Sequence, residues 1–194
     1  MEHGSLRRLA QLAVLLSVSG ICASCVLPLS LHYYVPSAEG ATVRSTSCSG
    51  DPPYMVTIFG AVSPQLHIMV SLAQRSLTGI HDPTLTVIIA PDSTERIIVD
   101  PTLVRVVADG RLVQTISARY YVGKSGAAPA LESHGPIDIK TDYLIIDLPL
   151  GISGALGVVT HLPPITVGED ANQFQDVSFK LEKHTKLIMI AGNC

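Results

Sequence analysis

The sequence predicts an all-β protein: a single immunoglobulin-like antiparallel β-sandwich preceded by an N-terminal signal helix. Three observations lead there. Short segments alternate apolar and polar residues with a period of two. Leu66, Ile68, Val70 and Leu72 fall on one side and His67, Met69 and Ser71 on the other, the pattern of a half-buried strand. Pro and Gly, 13 and 15 of them, separate such segments at the roughly 8–12-residue spacing of a sandwich. Past the N-terminus no segment sustains a helical period. Residues 66–77 could be forced into one, but Pro64 and the alternation favour a strand.

In chain order the expected strands are 42–47, 54–59, 66–72, 85–89, 96–99, 103–107, 112–121, 143–148, 165–167, 177–182 and 186–190. The strongest local signal is a hairpin at Asp109-Gly110, because these residue types tolerate the positive φ angles of a two-residue turn. Pro83, Pro91, Pro101, Pro163 and Pro164 sit where each can stop a strand from pairing further. Residues 123–136 form the longest break in the pattern and are expected to be a mobile surface loop. With no internal repeat and no shift in composition, the chain divides into a signal segment (1–24), a tether (25–40) and one sandwich domain (41–194).

The N-terminus carries export signals. Arg7 and Arg8 precede an uncharged apolar stretch from Leu9 to Ile21, followed by small residues, the layout of a secretory signal. Cys22-Ala23-Ser24-Cys25 resembles the lipobox of bacterial lipoproteins, with Cys22 where that motif has Leu. The resemblance implies cleavage before Cys25 and a lipid on its thiol. Two alternatives stay open: ordinary cleavage near Ser24, or an uncleaved apolar helix over 9–31, long enough to span a bilayer though diluted by Pro28 and four serines.

Cysteine parity favours the lipid. The four cysteines are Cys22, Cys25, Cys48 and Cys194. Cleavage removes the first and lipidation consumes the second, leaving Cys48 and Cys194 to pair in an oxidising compartment. Such a bridge would tie down the chain end and stabilise the fold by at most about 5 kcal/mol in the chain-entropy account. It would also require the first and last strands of the domain to be neighbours.

Further along, Tyr33-Tyr34-Val35-Pro36-Ser37, the early Cys48, the Pro-Pro-Ile-x-Val-Gly stretch ending at Gly168 and the terminal Asn193-Cys194 are similar to uncharacterised exported and lipoprotein β-sandwich proteins of proteobacteria. The resemblance implies the fold and the disulfide and says nothing about activity.

Composition limits function. At 47% hydrophobic and 15% charged, the chain can bury a core and is unlike a disordered one. A net charge of −3, with no basic run longer than Arg7-Arg8, argues against nucleic acid as a partner. Without Trp, and with only three Phe and six Tyr, a carbohydrate-stacking platform is disfavoured.

Motifs for chemistry are incomplete. Gly123-Lys124-Ser125 lacks the first Gly of a phosphate loop, where Ala118 stands. Gly151-Ile152-Ser153-Gly154 misses a nucleophile elbow by one residue. His67 and Met69 share a strand face and are copper-binding types, but one pair is too few ligands. Glu169-Asp170, and Asp138 with Asp142, read as solvated turns. No catalytic, cofactor or metal residues are assigned.

The expectation is therefore an envelope-tethered, non-catalytic binding or structural module. It would sit in the periplasm or at the outer membrane through a lipid on Cys25, with another envelope protein as a possible partner. Rival readings are an exported hydrolase or metal-dependent enzyme assembled from distant residues, and a subunit of an envelope complex joined by strand addition.

Overall fold

The computed structural model describes residues 26–45, 54–63, 66–73, 82–113, 117–123 and 129–189, and of 26–31 and 184–189 the backbone alone. The signal segment, Cys25, Cys48 and Cys194 lie outside these residues, and so do the expected signal helix, lipid attachment and disulfide.

The described chain is built almost wholly from antiparallel strands: β1 (Val26–Ser37), β2 (Thr42–Ser45), β3 (Tyr54–Phe59), β4 (His67–Ala73), β5 (Thr84–Ile89), β6 (Glu95–Val99), β7 (Arg105–Ala108), β8 (Arg111–Val113), β9 (Ala118–Val122), β10 (Leu131–Ser133), β11 (Ile137–Thr141), β12 (Leu144–Pro149), β13 (Gly157–His161), β14 (Ile165–Val167), β15 (Asp170–Asn172) and β16 (Val177–Met189). They form three sheets: β1-β16-β13-β7-β8, β10-β9-β12-β5-β4-β3-β2 and β11-β6-β14-β15. That is an all-β sandwich with one more sheet than the two of an immunoglobulin domain.

Two compact units divide the chain: residues 32–182, and residues 1–31 with 183–194. β1 and β16 run through both. Within the larger unit, every strand of the seven-stranded sheet except β2 and β10, its two edges, gives inward residues to one core: Val56 and Ile58 from β3, Ile68, Val70 and Leu72 from β4, Leu85, Val87 and Ile89 from β5, Leu144, Ile146 and Leu148 from β12, and Ala118 from β9. The other two sheets meet them with Val106, Val158, Val177 and Phe179, and with Ile97, Val99, Ile137 and Ile165. Burial of this apolar area is the main term holding the sheets together.

Local chemistry explains the turns. In the Asp109-Gly110 hairpin both residues have positive φ, 48° and 79°, and Ala108 pairs directly with Arg111, as a type I′ turn demands. The Asp109 carboxylate then accepts from the backbone N–H groups of Leu156 (3.1 Å) and Gly157 (2.9 Å). Beside it the buried Tyr34 hydroxyl donates to the Ala155 carbonyl at 2.9 Å. Burial, and secondarily the Asp109 charge, push the Tyr34 phenol above its ordinary range.

Five expectations are corrected. Residues 26–37, expected as part of a tether, form β1. Pro28 and Pro36 do not forbid this because β1 is a sheet edge, where a missing N–H leaves no ladder bond broken. The last six residues of the alternative 9–31 helix are likewise strand. The last strand pairs with β1 and β13, and the strand beginning at Thr42 lies in another sheet; 186–190 is not a separate strand, since β16 runs on to Met189. The expected loop over 123–136 contains edge strand β10, whose residues pair with Tyr120, Arg119 and Ala118.

Candidate binding groove on the outward face

The register of the seven-stranded sheet places its outward residues in rows. One row runs Arg44, Met55, Ser71, Thr86, Asp147, Arg119 and Glu132 from edge to edge. The next runs Thr42, Thr57, Met69, Ile88, Ile145 and Tyr121. A third begins with Phe59 opposite His67, whose rings lie 6.4 Å apart at 54°.

The middle of this face is closed. Ser71, Thr84, Ile88 and Asp147 are all buried although they point away from the core. Asp147 is 4% exposed, accepts a 2.6 Å hydrogen bond from the Thr86 hydroxyl, and lies in register with Arg119. A carboxylate this buried has to be hydrogen-bonded, and the Thr86 hydroxyl supplies one such bond.

The β2–β4 end is open. There Thr42, Arg44, Met55, Thr57, Phe59, His67 and Met69 line a groove of about 260 Å³. Phe59 is 49% exposed and puts an aromatic ring at the mouth of this groove beside Met55 and Met69. Among the described residues, Arg44 makes no hydrogen bond or ion pair. Alternation in β3 produces the groove: Val56 and Ile58 enter the core, so Met55, Thr57 and Phe59 must point out.

The expected sharing of one face by His67 and Met69 holds, and Met55 joins the groove. Met55 and His67, however, are four residues apart along paired strands, about 13 Å, too far to ligate one ion. Among the described residues no three His, Cys, Asp or Glu side chains gather into a metal site.

The remaining candidates scatter. Ser153 donates to Asp82 at 2.7 Å on an exposed turn. Asp138 is not in a turn but in β11, held by Arg96 through two hydrogen bonds of 2.8 and 2.6 Å. The hydrogen bond from Arg96 holds the Asp138 carboxyl below its usual range. Glu169 lies in the turn between β14 and β15, and Asp170 begins β15. Lys124 and Ser125 lie outside the described residues.

A second, acidic cleft of about 200 Å³ lies between the Ser63 turn, Asp92, Glu95 and Asp170. Its floor is structural. The wholly buried Asn172 accepts from the Ser63 N–H at 2.8 Å and donates to the Asp170 carbonyl at 3.3 Å. Gly60 is required beside it, because a Cβ there would stand 2.5 Å from the Asn172 Oδ1.

Sequence reasoning missed Arg44, Met55, Thr57 and Phe59 as site residues. The alternation of 54–59 was a signal that Met and Phe face outward together. No protein-family model, curated protein or solved structure matches this chain.

Proposed function

We propose that this protein is an exported, envelope-tethered, non-catalytic β-sandwich that acts as a binding module through the open β2–β4 end of its outward face. The observation that carries the reading is the groove with exposed Phe59 on a rigid, well-packed sheet, since pockets that combine apolar lining with a few polar groups are the usual ligand sites. The arginine–apolar–small–Cys order at the N-terminus supports export and a lipid on Cys25. Cysteine parity, and the resemblance to exported proteobacterial sandwich proteins, support a Cys48–Cys194 bridge.

The test is a photo-crosslinking amino acid placed at Phe59 in living cells, with Leu112, 71% exposed on another sheet, as the control. Adducts in the envelope fraction from position 59 and none from 112 are expected. Equal labelling, or none at 59, ends the proposal.

A second reading, strand addition into an envelope complex, is favoured by the β2 edge, whose Thr42, Val43 and Arg44 are exposed and whose ladder has one partner. Crosslinks from Val43 without any from Phe59 would select it.

A further inference from the structure

We infer that the β2–β4 groove is a binding site for a small organic anion with an apolar body, its carboxylate or phosphate held by Arg44. The inference rests on the binding-module reading and names the ligand class for that site. Three features of the groove converge on it.

The first is charge. Among the described residues no carboxylate lines the groove, and the Arg44 side chain has no protein partner. A guanidinium left free beside an apolar floor is matched by an anion, which it can take bidentately. The protein as a whole is acidic, at −3, so this attraction is local and does not come from a general positive field.

The second is the floor. Met55, Phe59 and Met69 provide apolar surface around the cation, and thioethers adapt their shape to a bound body. Thr42 and Thr57 stand directly opposite each other, and neither hydroxyl has a hydrogen-bond partner among the described residues. They can donate to an oxygen that Arg44 leaves uncovered.

The third is size. A volume of about 260 Å³ lies just below the range of drug-sized sites. It admits a short alkyl or single-ring body and excludes a two-chain lipid. The occupant is therefore a free small molecule.

The experiment uses the full chain carrying ¹³C-methyl methionine. Of the four methionines, Met55 and Met69 line the groove and report on it. The probes are 4-phenylbutyrate and its neutral counterpart, 4-phenylbutanol. Millimolar or tighter phenylbutyrate is expected to shift Met55 and Met69. Phenylbutanol should bind at least about tenfold more weakly, and Arg44→Gln should weaken phenylbutyrate by about tenfold or more, the size of a charge-assisted hydrogen bond. Added salt should weaken binding to the wild type and not to the variant.

Equal binding of acid and alcohol overturns the inference. So does a shift produced only by anionic phospholipid vesicles, or no shift at Met55 and Met69. Arg44 is exposed on an edge strand, so its replacement leaves the core intact, and an unchanged urea-unfolding midpoint verifies this. Phe59 crosslinks in cells without any anion-dependent shift overturn the small-anion assignment and leave the binding-module reading standing.

Discussion

The two faces of the seven-stranded sheet are made by the same strands and behave oppositely. Inward, the residues of β3, β4, β5 and β12 are aliphatic and almost wholly buried. Outward, the neighbours of those residues form rows that close over Ser71, Ile88 and Asp147 in the middle of the sheet and open at Met55, Met69 and Phe59 at the β2–β4 end. The inward face is explained by burial alone. On the outward face each residue is decided by what lies beside it in register, so stability belongs mainly to the first and recognition to the second.

Substitution across the sheet should give the largest contrast. Leu85→Ala, in the middle of the inward face, is expected to cost about 2–5 kcal/mol by removing methyls and leaving a cavity. Met69→Ala, at the open outward end, should cost less than about 1 kcal/mol. Urea unfolding measures both, and similar losses would break the comparison.

Gly60→Ala tests a buried polar contact at the margin of the core. The new Cβ would displace Asn172 from the Ser63 N–H, at an expected cost of about 2 kcal/mol for the orphaned groups. Asn172→Ala should cost a similar amount, and the double variant should lose much less than the sum. Additive losses would show that the two residues act separately.

Tyr34→Phe is smaller, about 1 kcal/mol at neutral pH, for one buried hydrogen bond. Its pH dependence sharpens the comparison further. Because burial raises the Tyr34 phenol above its ordinary value, the folded state keeps the proton longer than the unfolded chain. That contribution is fully present below the ordinary tyrosine pKa and is lost as pH rises through the folded value. Wild type should therefore lose stability more steeply than Tyr34→Phe above about pH 10, read by melting temperature. Parallel alkaline limbs would refute the assignment.

The smallest effect belongs to the solvent-facing Arg96–Asp138 pair. Its depressed Asp138 pKa means that the contribution is present above the ordinary carboxylate range and lost as pH falls through the folded value. Wild type and Asp138→Asn should differ slightly at neutral pH and converge in acid. A large neutral difference would contradict the modest value of exposed pairs.

Much of the fold was legible from residues alone. Strands 54–59 and 165–167 and the Asp109-Gly110 hairpin stand where alternation and turn chemistry put them. β1 was hidden by prolines that an edge strand tolerates. β11 was hidden because Asp138 read as a turn residue when Ile137 and Ile139 already alternated around it. β10 and β15 are three residues each, and in β13 the adjoining Val158 and Val159 obscure the period of two.

The site was less legible, for a different reason. That Met55, Thr57 and Phe59 point away from Val56 and Ile58 follows from one strand's pleat, and so sequence by itself determined which residues could face solvent. It also determined the all-β class, through local alternation and turn residues that act over only a few positions. Which outward residues would meet depended on register between strands distant in sequence. Arg44 reaches the Met55 row, Thr42 meets Thr57, and Asp147 comes between Thr86 and Arg119 only because the core packs the sheet in one alignment. A slip of one residue would have turned each strand over, so the groove and its lone guanidinium were decided by the tertiary structure.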